Sequence, residues 1–286
     1  VYVDLHMHTT ISDGVLTPTQ LVDLVGSRGL HVMALTDHDT TQGLAEAFTA
    51  KQRYPELTLI PGIELSCDIP GNEVHVLGYF IDDSDTAFQQ KLTEFREQRL
   101  DRGQMMVQKL RNLGMDITWE RVLEIAGGGA TSVGRPHIAQ ALLEKAYVPT
   151  IKDAFDRYLS RNGPAYAERA KMLPAEAVDL IRSVGGLAVL AHPKELMAGS
   201  PFDELLDDLC AAGLTGMEAH YQGYPQELVS KLVGICAERG LVPCGGSDFH
   251  GIQGRDELKP GDVNVPMTTA ERLFALAEKA HAERGA

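Results

Sequence analysis

Seven short apolar runs recur along the chain, and each leads into residues that can bind a metal or shape a polar site. Residues 1–5 lead into His6-Met7-His8, and 31–36 into Asp37-His38-Asp39. The run 57–63 ends at Glu64, while His75 sits inside 73–79. Residues 187–191 end at His192, 214–217 lead into Glu218-Ala219-His220, and 241–246 end in Ser247-Asp248-Phe249-His250. One such run constrains little. Seven in series imply parallel barrel strands whose C-terminal ends converge on one polynuclear metal site.

Helical stretches lie between the runs. Thr17-Pro18-Thr19-Gln20 reads as a capping box with proline at the first helical position. Leu21, Leu24 and Val25 follow at helical spacing, and Gly29 suits the stop. Residues 42–53, 202–212, 225–239 and 269–284 read the same way. Strand–helix alternation with short links predicts an α/β fold. An open doubly wound sheet would carry a glycine-rich phosphate loop after its first strand. His-Met-His occupies that position, so a closed barrel is expected.

One link breaks the rhythm. About a hundred residues separate Phe80 from Leu187, where a crossover needs ~30. Residues 85–113 read as one long charged helix, with shorter helices over 119–125, 135–146 and 151–160. Residues 174–184 read as the crossover helix that returns to the fifth strand. Residues 82–173 are therefore expected to be an inserted helical subdomain, with 1–81 and 174–286 forming the barrel. An insertion at the C-terminal end of a barrel strand would lie over the active site as a lid or specificity element.

The net charge of −14 argues against long nucleic acid as a partner, because binding to a phosphate backbone needs clustered Lys and Arg. It does not exclude a small anion, since bound divalent ions would more than offset the carboxylates that hold them. No apolar run approaches the ~20 residues of a membrane span. The four cysteines are scattered without a CxxC, as expected for buried thiols in a reducing cytoplasm, although Cys67 lies close to Glu64 in sequence.

Alternate strand residues face the same way, so His6 and His8 can grip one ion. Asp13 can swing back from the following loop. Glu64, at the end of an apolar strand, would be costly unless paired, and bridging two cations would satisfy it. His38, His75, His192, Asp248 and His250 complete nine candidate ligands, which include six of the ten histidines. Mixed imidazole and carboxylate donors without cysteine suit Mn²⁺, Fe²⁺ or Zn²⁺ better than a structural zinc. Three donors per ion give three divalent metals with open positions, a set able to hydrolyse phosphoesters.

The series His6-x-His8, Asp13, Thr36-Asp37-His38, Gly62-Ile63-Glu64, His75, Ala191-His192-Pro193 and Ser247-Asp248-x-His250 resembles the polymerase-and-histidinol-phosphatase (PHP) family of metal-dependent phosphoesterases. The resemblance implies a distorted (β/α)7 barrel and a trinuclear centre, with manganese the leading candidate metal. It places His6, His8, Glu64 and Asp248 on one ion. Glu64 would bridge to a second ion held with His75 and His192, and Asp13, His38 and His250 would hold the third. Within the insertion, Arg-rich 95–102, Gly134-Arg135-Pro136-His137 and Pro164-Ala165-Tyr166 resemble the small PHP phosphatases that hydrolyse 3′,5′-nucleoside bisphosphates. That resemblance implies loss of the 3′-phosphate from adenosine 3′,5′-bisphosphate, giving AMP and phosphate. Some relatives of that branch trim the 5′ ends of short RNAs.

The expected mechanism is direct hydrolysis by a hydroxide held on the metals. Glu64, Asp248, His192 and Arg135 are its expected catalytic residues. Arg99, Arg135, His137, Lys171, Lys194 and Tyr221 are candidate substrate contacts, with arginine suited to bidentate phosphate binding. Glu218 and His220 are placed on the nucleoside side. His137 is also an alternative ligand to His192, and a candidate general acid alongside water. Gly127-Gly128-Gly129 could hinge over the pocket. Rival readings are a deaminase of amidohydrolase type with one or two metals, a histidinol-phosphatase-like enzyme, an exonuclease on short oligonucleotides, and a metal-binding module without turnover.

Overall fold

The structure, a computed structural model, describes residues 2–69, 72–127, 133–167, 172–198, 201–252 and 258–284. Residue 1 of the first run, and Gly128, Gly129 and Lys171 named above, lie outside the described residues. Seven strands follow one another in chain order around a nearly closed barrel. They are β1 (Tyr2–Asp4), β2 (Leu30–Leu35), β3 (Thr58–Ile69), β4 (Asn72–Tyr79), β5 (Leu187–Leu190), β6 (Gly216–Tyr221) and β7 (Val242–Gly246). The ring is drawn shut between its first and last strands. Leu5 N–H donates to Gly245 O at 3.3 Å, and His8 N–H donates to Phe249 O at 2.9 Å. Gly246 permits this approach, because a Cβ there would lie 2.5 Å from the backbone nitrogen of His6.

Two expectations are corrected. The strands are not all parallel, because β4 runs antiparallel to both β3 and β5. The physical reason is the link. Only two residues separate Ile69 from Asn72, whereas a parallel pair needs a crossover of a dozen or more. Nor does the third strand stop at Glu64. It continues to Ile69, because Leu65–Ile69 is zipped to the first half of β4 in one antiparallel ladder. Direction then explains His75. It lies near the start of its strand, and the start of an antiparallel strand shares a rim with the ends of the parallel ones.

Alternation along each strand separates two cores. Val3, Leu5, Val32, Ala34, Ile60, Leu77, Tyr79, Val189 and Cys244 form one cluster with Ala270, Leu273 and Ala277 of the last helix, α10 (Met267–Arg284). The intervening positions, among them Met33, Leu35, Ile63, Leu65 and Val76, pack outward against the flanking helices. These are α1 (Pro18–Ser27), α2 (Leu44–Lys51), α7 (Pro174–Ser183), α8 (Phe202–Ala212) and α9 (Gln226–Arg239). The capping box at Thr17 and Gln20 forms as the sequence predicts. All four cysteines are thiols outside any disulfide, and Cys67 faces the outer core rather than the inner one. Among the described residues, no helix is long and apolar enough to cross a membrane.

The reversal of β4 also changes how the insertion reaches the site. Its chain leaves the barrel at the end opposite the Glu64 rim, not beside it. The 27-residue α3 (Thr86–Asn112), about 40 Å long at 1.5 Å per residue, carries it back. Phe88 and Leu92 at the start of α3 pack on the barrel core. Met106, Val107 and Leu110 near its end belong to a separate core. That core is shared with α4 (Trp119–Ile125), α5 (Arg135–Glu144) and α6 (Ile151–Ala154), which continues as a π-helical turn over Phe155–Leu159.

Candidate metal centre

Strand ends and the loops behind them deliver nine donor side chains to one rim. The period of two that sends Ile60 inward sends Glu64 inward as well, and the same holds for Leu77 and His75. Glu64 lies at the middle of the set. Its Oε2 is 3.1 Å from Nε2 of both His6 and His8 and 3.2 Å from His38 Nδ1. Its Oε1 is 2.8 Å from His75 Nδ1 and 3.2 Å from His192 Nε2. Asp248 Oδ1 lies 3.3 Å from His6 Nε2 and 3.0 Å from His8 Nε2. Asp13 approaches His250 at 3.3 Å and His38 at 3.8 Å. The structure thus brings all nine candidates together.

The donor atoms fall into groups able to hold a metal: His6, His8, Glu64 and Asp248; His8, Asp13, His38 and His250; and His38, Glu64 and His75. His192 joins the last group through Nε2, which is 3.2 Å from His75 Nδ1. The chemistry of the set fits a cation. Both ring nitrogens of His8 and Nδ1 of His38 are buried with no hydrogen-bond partner among the described residues, although His8 Nε2 and His38 Nδ1 lie close to carboxylate oxygens. Distance is satisfied there and direction is not, as expected when both partners aim at a shared ion.

The electrostatics agree. Burial pushes Asp13, Glu64 and Asp248 up, but the imidazoles around them outweigh it and hold all three well below the usual carboxylate range. Burial pushes His8 down, yet Asp248 and Glu64 raise it to about 10. His192 is likewise raised to about 9, with Glu64 overcoming burial. His38 goes the other way, to about 3, because burial outweighs Glu64 and Asp13. The carboxylates thus demand positive charge at a buried site.

A second layer of carboxylates fixes the first, and sequence reasoning did not assign it. Asp37 accepts from Thr9 N–H, Thr9 Oγ1 and Ser12 Oγ, each at 2.7 Å, and so holds the loop that carries Asp13. Asp4 accepts from the backbone N–H of Ser247 and of Gly261, both at 2.9 Å. Burial outweighs those bonds and raises it to about 6. Its signal in the sequence was a carboxylate inside an apolar run, which is costly unless satisfied. Glu218, expected on the nucleoside side, is fully buried and bonds His6 instead, with Oε1 at 3.1 Å from Nδ1.

Opposite the donors, the insertion supplies a cationic wall. Arg99, Arg102, Gly103 and Met106 recur at i, i+3, i+4 and i+7 on α3 and line one face of the cavity. Arg135 and Pro136 at the start of α5, together with Phe155 on the π-helical turn, complete it around a volume of about 190 Å³. Arg99 donates to Asp39 at 2.7 Å, while Arg135 and Arg102 both pair with Glu73. Arg102 and Phe155 were missed, although Arg102 sits one helical turn past Arg99. His137 caps its own helix, accepting the Gly134 N–H at Nδ1 over 3.0 Å. Lys194 is exposed, with its ammonium over the Tyr224 ring. Tyr221 donates its hydroxyl to Asp248 Oδ2 at 2.6 Å.

A barrel whose rim gathers buried imidazoles and carboxylates under a cationic wall defines a metal-dependent hydrolase of phosphate esters. Residues 4–164 match the PHP domain model, and the chain belongs to the PHP domain family. It is 33% identical over 257 residues to a 3′,5′-nucleoside bisphosphate phosphatase of Chromobacterium violaceum, covering 89% of this chain and 90% of that one. It is 34% identical over 264 residues to the 5′-3′ exoribonuclease Rnm of Salmonella typhimurium, covering 87% and 85%. A crystal structure from Bifidobacterium adolescentis, described as a candidate metal-dependent phosphoesterase, superposes with a TM-score of 0.87 at 33% identity over 96% of both chains.

Proposed function

We propose that this chain is a phosphatase that removes the 3′-phosphate of 3′,5′-nucleoside bisphosphates, converting adenosine 3′,5′-bisphosphate to AMP and phosphate. The observation that carries this reading is a small cavity between the donor rim, which would take a phosphate once it holds metal, and Arg99, Arg102 and Arg135 on the other side. A substrate with two phosphates can address both sides at once. The similarity to a bisphosphate phosphatase supports the same choice. Residues 82–173 then act as the lid and specificity element.

Three divalent ions, with Mn²⁺ the leading candidate, would be held by His6, His8, Glu64 and Asp248, by Glu64, His75 and His192, and by Asp13, His38 and His250. When bound, such ions supply a nucleophile at neutral pH and stabilise charge on the phosphoryl group. The protein's own part is placement. Glu64 and Asp248 are held ionised by the surrounding imidazoles. Arg135 and Arg102 exchange Glu73 for phosphate oxygens and orient the far end of the substrate. Arg99, braced by Asp39, keeps the wall cationic. His137 is committed to capping α5, so protonation of the leaving ribose oxygen is not assigned to it.

Phosphate release by Mn²⁺-loaded protein decides the matter, measured on adenosine 3′,5′-bisphosphate beside 3′-AMP, 5′-AMP, histidinol phosphate and a short 5′-phosphorylated RNA. Preferred turnover of the bisphosphate, with AMP as product, is the expected result. Preferred turnover of the RNA would replace this substrate with that of the exoribonuclease relatives. Silence on all five would overturn the phosphatase reading.

A further inference from the structure

Glu218 bonds both a donor imidazole and the backbone that presents another. It lies on β6 with its side chain fully buried. Its two oxygens are spent in different directions. Oε1 is 3.1 Å from His6 Nδ1, and Oε2 accepts the backbone N–H of His192 at 2.8 Å. The segments just past β1 and β5 therefore meet β6 on one carboxylate just beneath the donor rim.

Each bond fixes a degree of freedom the metal centre needs. His6 Nε2 faces Glu64 Oε2 at 3.1 Å and Asp248 Oδ1 at 3.3 Å, the side on which an ion would bind. With Nε2 on an ion, the ring's proton must sit on Nδ1, and the Glu218 carboxylate, which only accepts, holds it there. Without that partner an imidazole is free to place its proton on Nε2, which would close His6 to a cation. The second bond acts on conformation. His192 has φ +28°, a left-handed backbone uncommon for a residue with a Cβ. It also precedes Pro193, which disfavours helical backbone at the residue before it. Holding such a residue needs surrounding structure that over-determines it. The Glu218 bond to its N–H does this at the point where Nε2 must reach Glu64.

We propose that Glu218 is a positioning residue of the metal centre. It fixes the tautomer of His6 and the strained backbone of His192, so that both present Nε2 to the ions. The inference rests on the reading of the rim as a metal site, and not on which phosphoester is cleaved. Orienting partners of this kind typically change metal affinity by about 10–100-fold when altered.

The test compares wild type with Glu218→Gln and Glu218→Ala, using zinc alone as the probe. Glutamine keeps the shape and can still accept from His192 N–H, but its amide can donate to His6 Nδ1 and so permits the opposite tautomer. Chelator competition should show zinc affinity weakened about 10–100-fold in Glu218→Gln. Nitrogen-15 NMR of the histidine rings should show His6 protonated at Nδ1 in zinc-loaded wild type, with that signature lost in the variant. Raised metal concentration should restore turnover with KM unchanged. Glu218→Ala should lose more affinity, because the His192 tether goes too. Wild-type affinity and an unchanged His6 tautomer in Glu218→Gln would overturn the proposal. So would a lowered melting temperature of the metal-free variants with zinc affinity intact, since that marks a purely structural role. Failure of the metal-site reading is separable, because wild type itself would then take up no zinc.

Discussion

Glu64 carries more of the site than any other single residue, because its two oxygens lie within 3.2 Å of five imidazoles. Glu64→Gln removes the negative charge but keeps the volume. The expected result is loss of bound metal, measured by elemental analysis, and a fall in kcat of about 10²–10³-fold, the size seen when one preorganised electrostatic partner is removed. Full metal content and full rate in that variant would demote Glu64 from bridge to bystander. At this scale the sequence was informative about donors and poor about what orients them. A histidine at a strand end announces itself. Glu218 bonds His6 across 212 positions of sequence, and no local pattern signals that pairing.

Among the elements, β7 and α3 decide whether a site exists at all. The barrel closes because β7 brings bare glycines against its neighbours. A Cβ at Gly246 would meet the His6 backbone at 2.5 Å, and this residue has no positive φ to explain its choice. Gly246→Ala should therefore destabilise by about 1–3 kcal/mol, the usual range for overpacking, with the β1 end of the donor set displaced. Urea unfolding with metal titration checks both effects, and an unchanged midpoint would mean that the two strands can part without cost. The direction of β4 was legible in principle. The link between Glu64 and Glu73 is too short for a parallel crossover, and the donors at strand ends concealed this by suggesting seven equivalent units. The length of α3 was readable from its charge pattern and its Asp85 cap, but not the use of that length, which is to bring Arg99 and Arg102 back to the rim.

At the scale of the whole molecule, the donor rim concentrates buried charge that folding alone does not compensate. Cation binding to the native state should stabilise the chain by about 2.7 kcal/mol for each site filled at a hundred times its Kd. In a protein of this size one such site shifts the melting temperature by about 5–10 °C. Calorimetry with EDTA, then with Mn²⁺ restored, should show that difference and its recovery. Identical melting in both conditions would mean that the rim binds no ion in the folded state. The cationic wall belongs to the same scale, since the end of α3 and α5 share a core of their own while Arg99, Arg102 and Arg135 line the cavity at the barrel rim.

The sequence by itself determined the α/β class, the near-closed barrel, most helix limits and which imidazoles and carboxylates gather at one rim. These rest on short-range geometry: the period of two on strands, the period of 3.6 on helices, and capping within one turn. The tertiary structure alone decided how the insertion returns to the rim, and that Asp4, Asp37 and Glu218 stand behind the donors. Those features depend on contacts between residues far apart in the chain, and such contacts exist only once the barrel has closed.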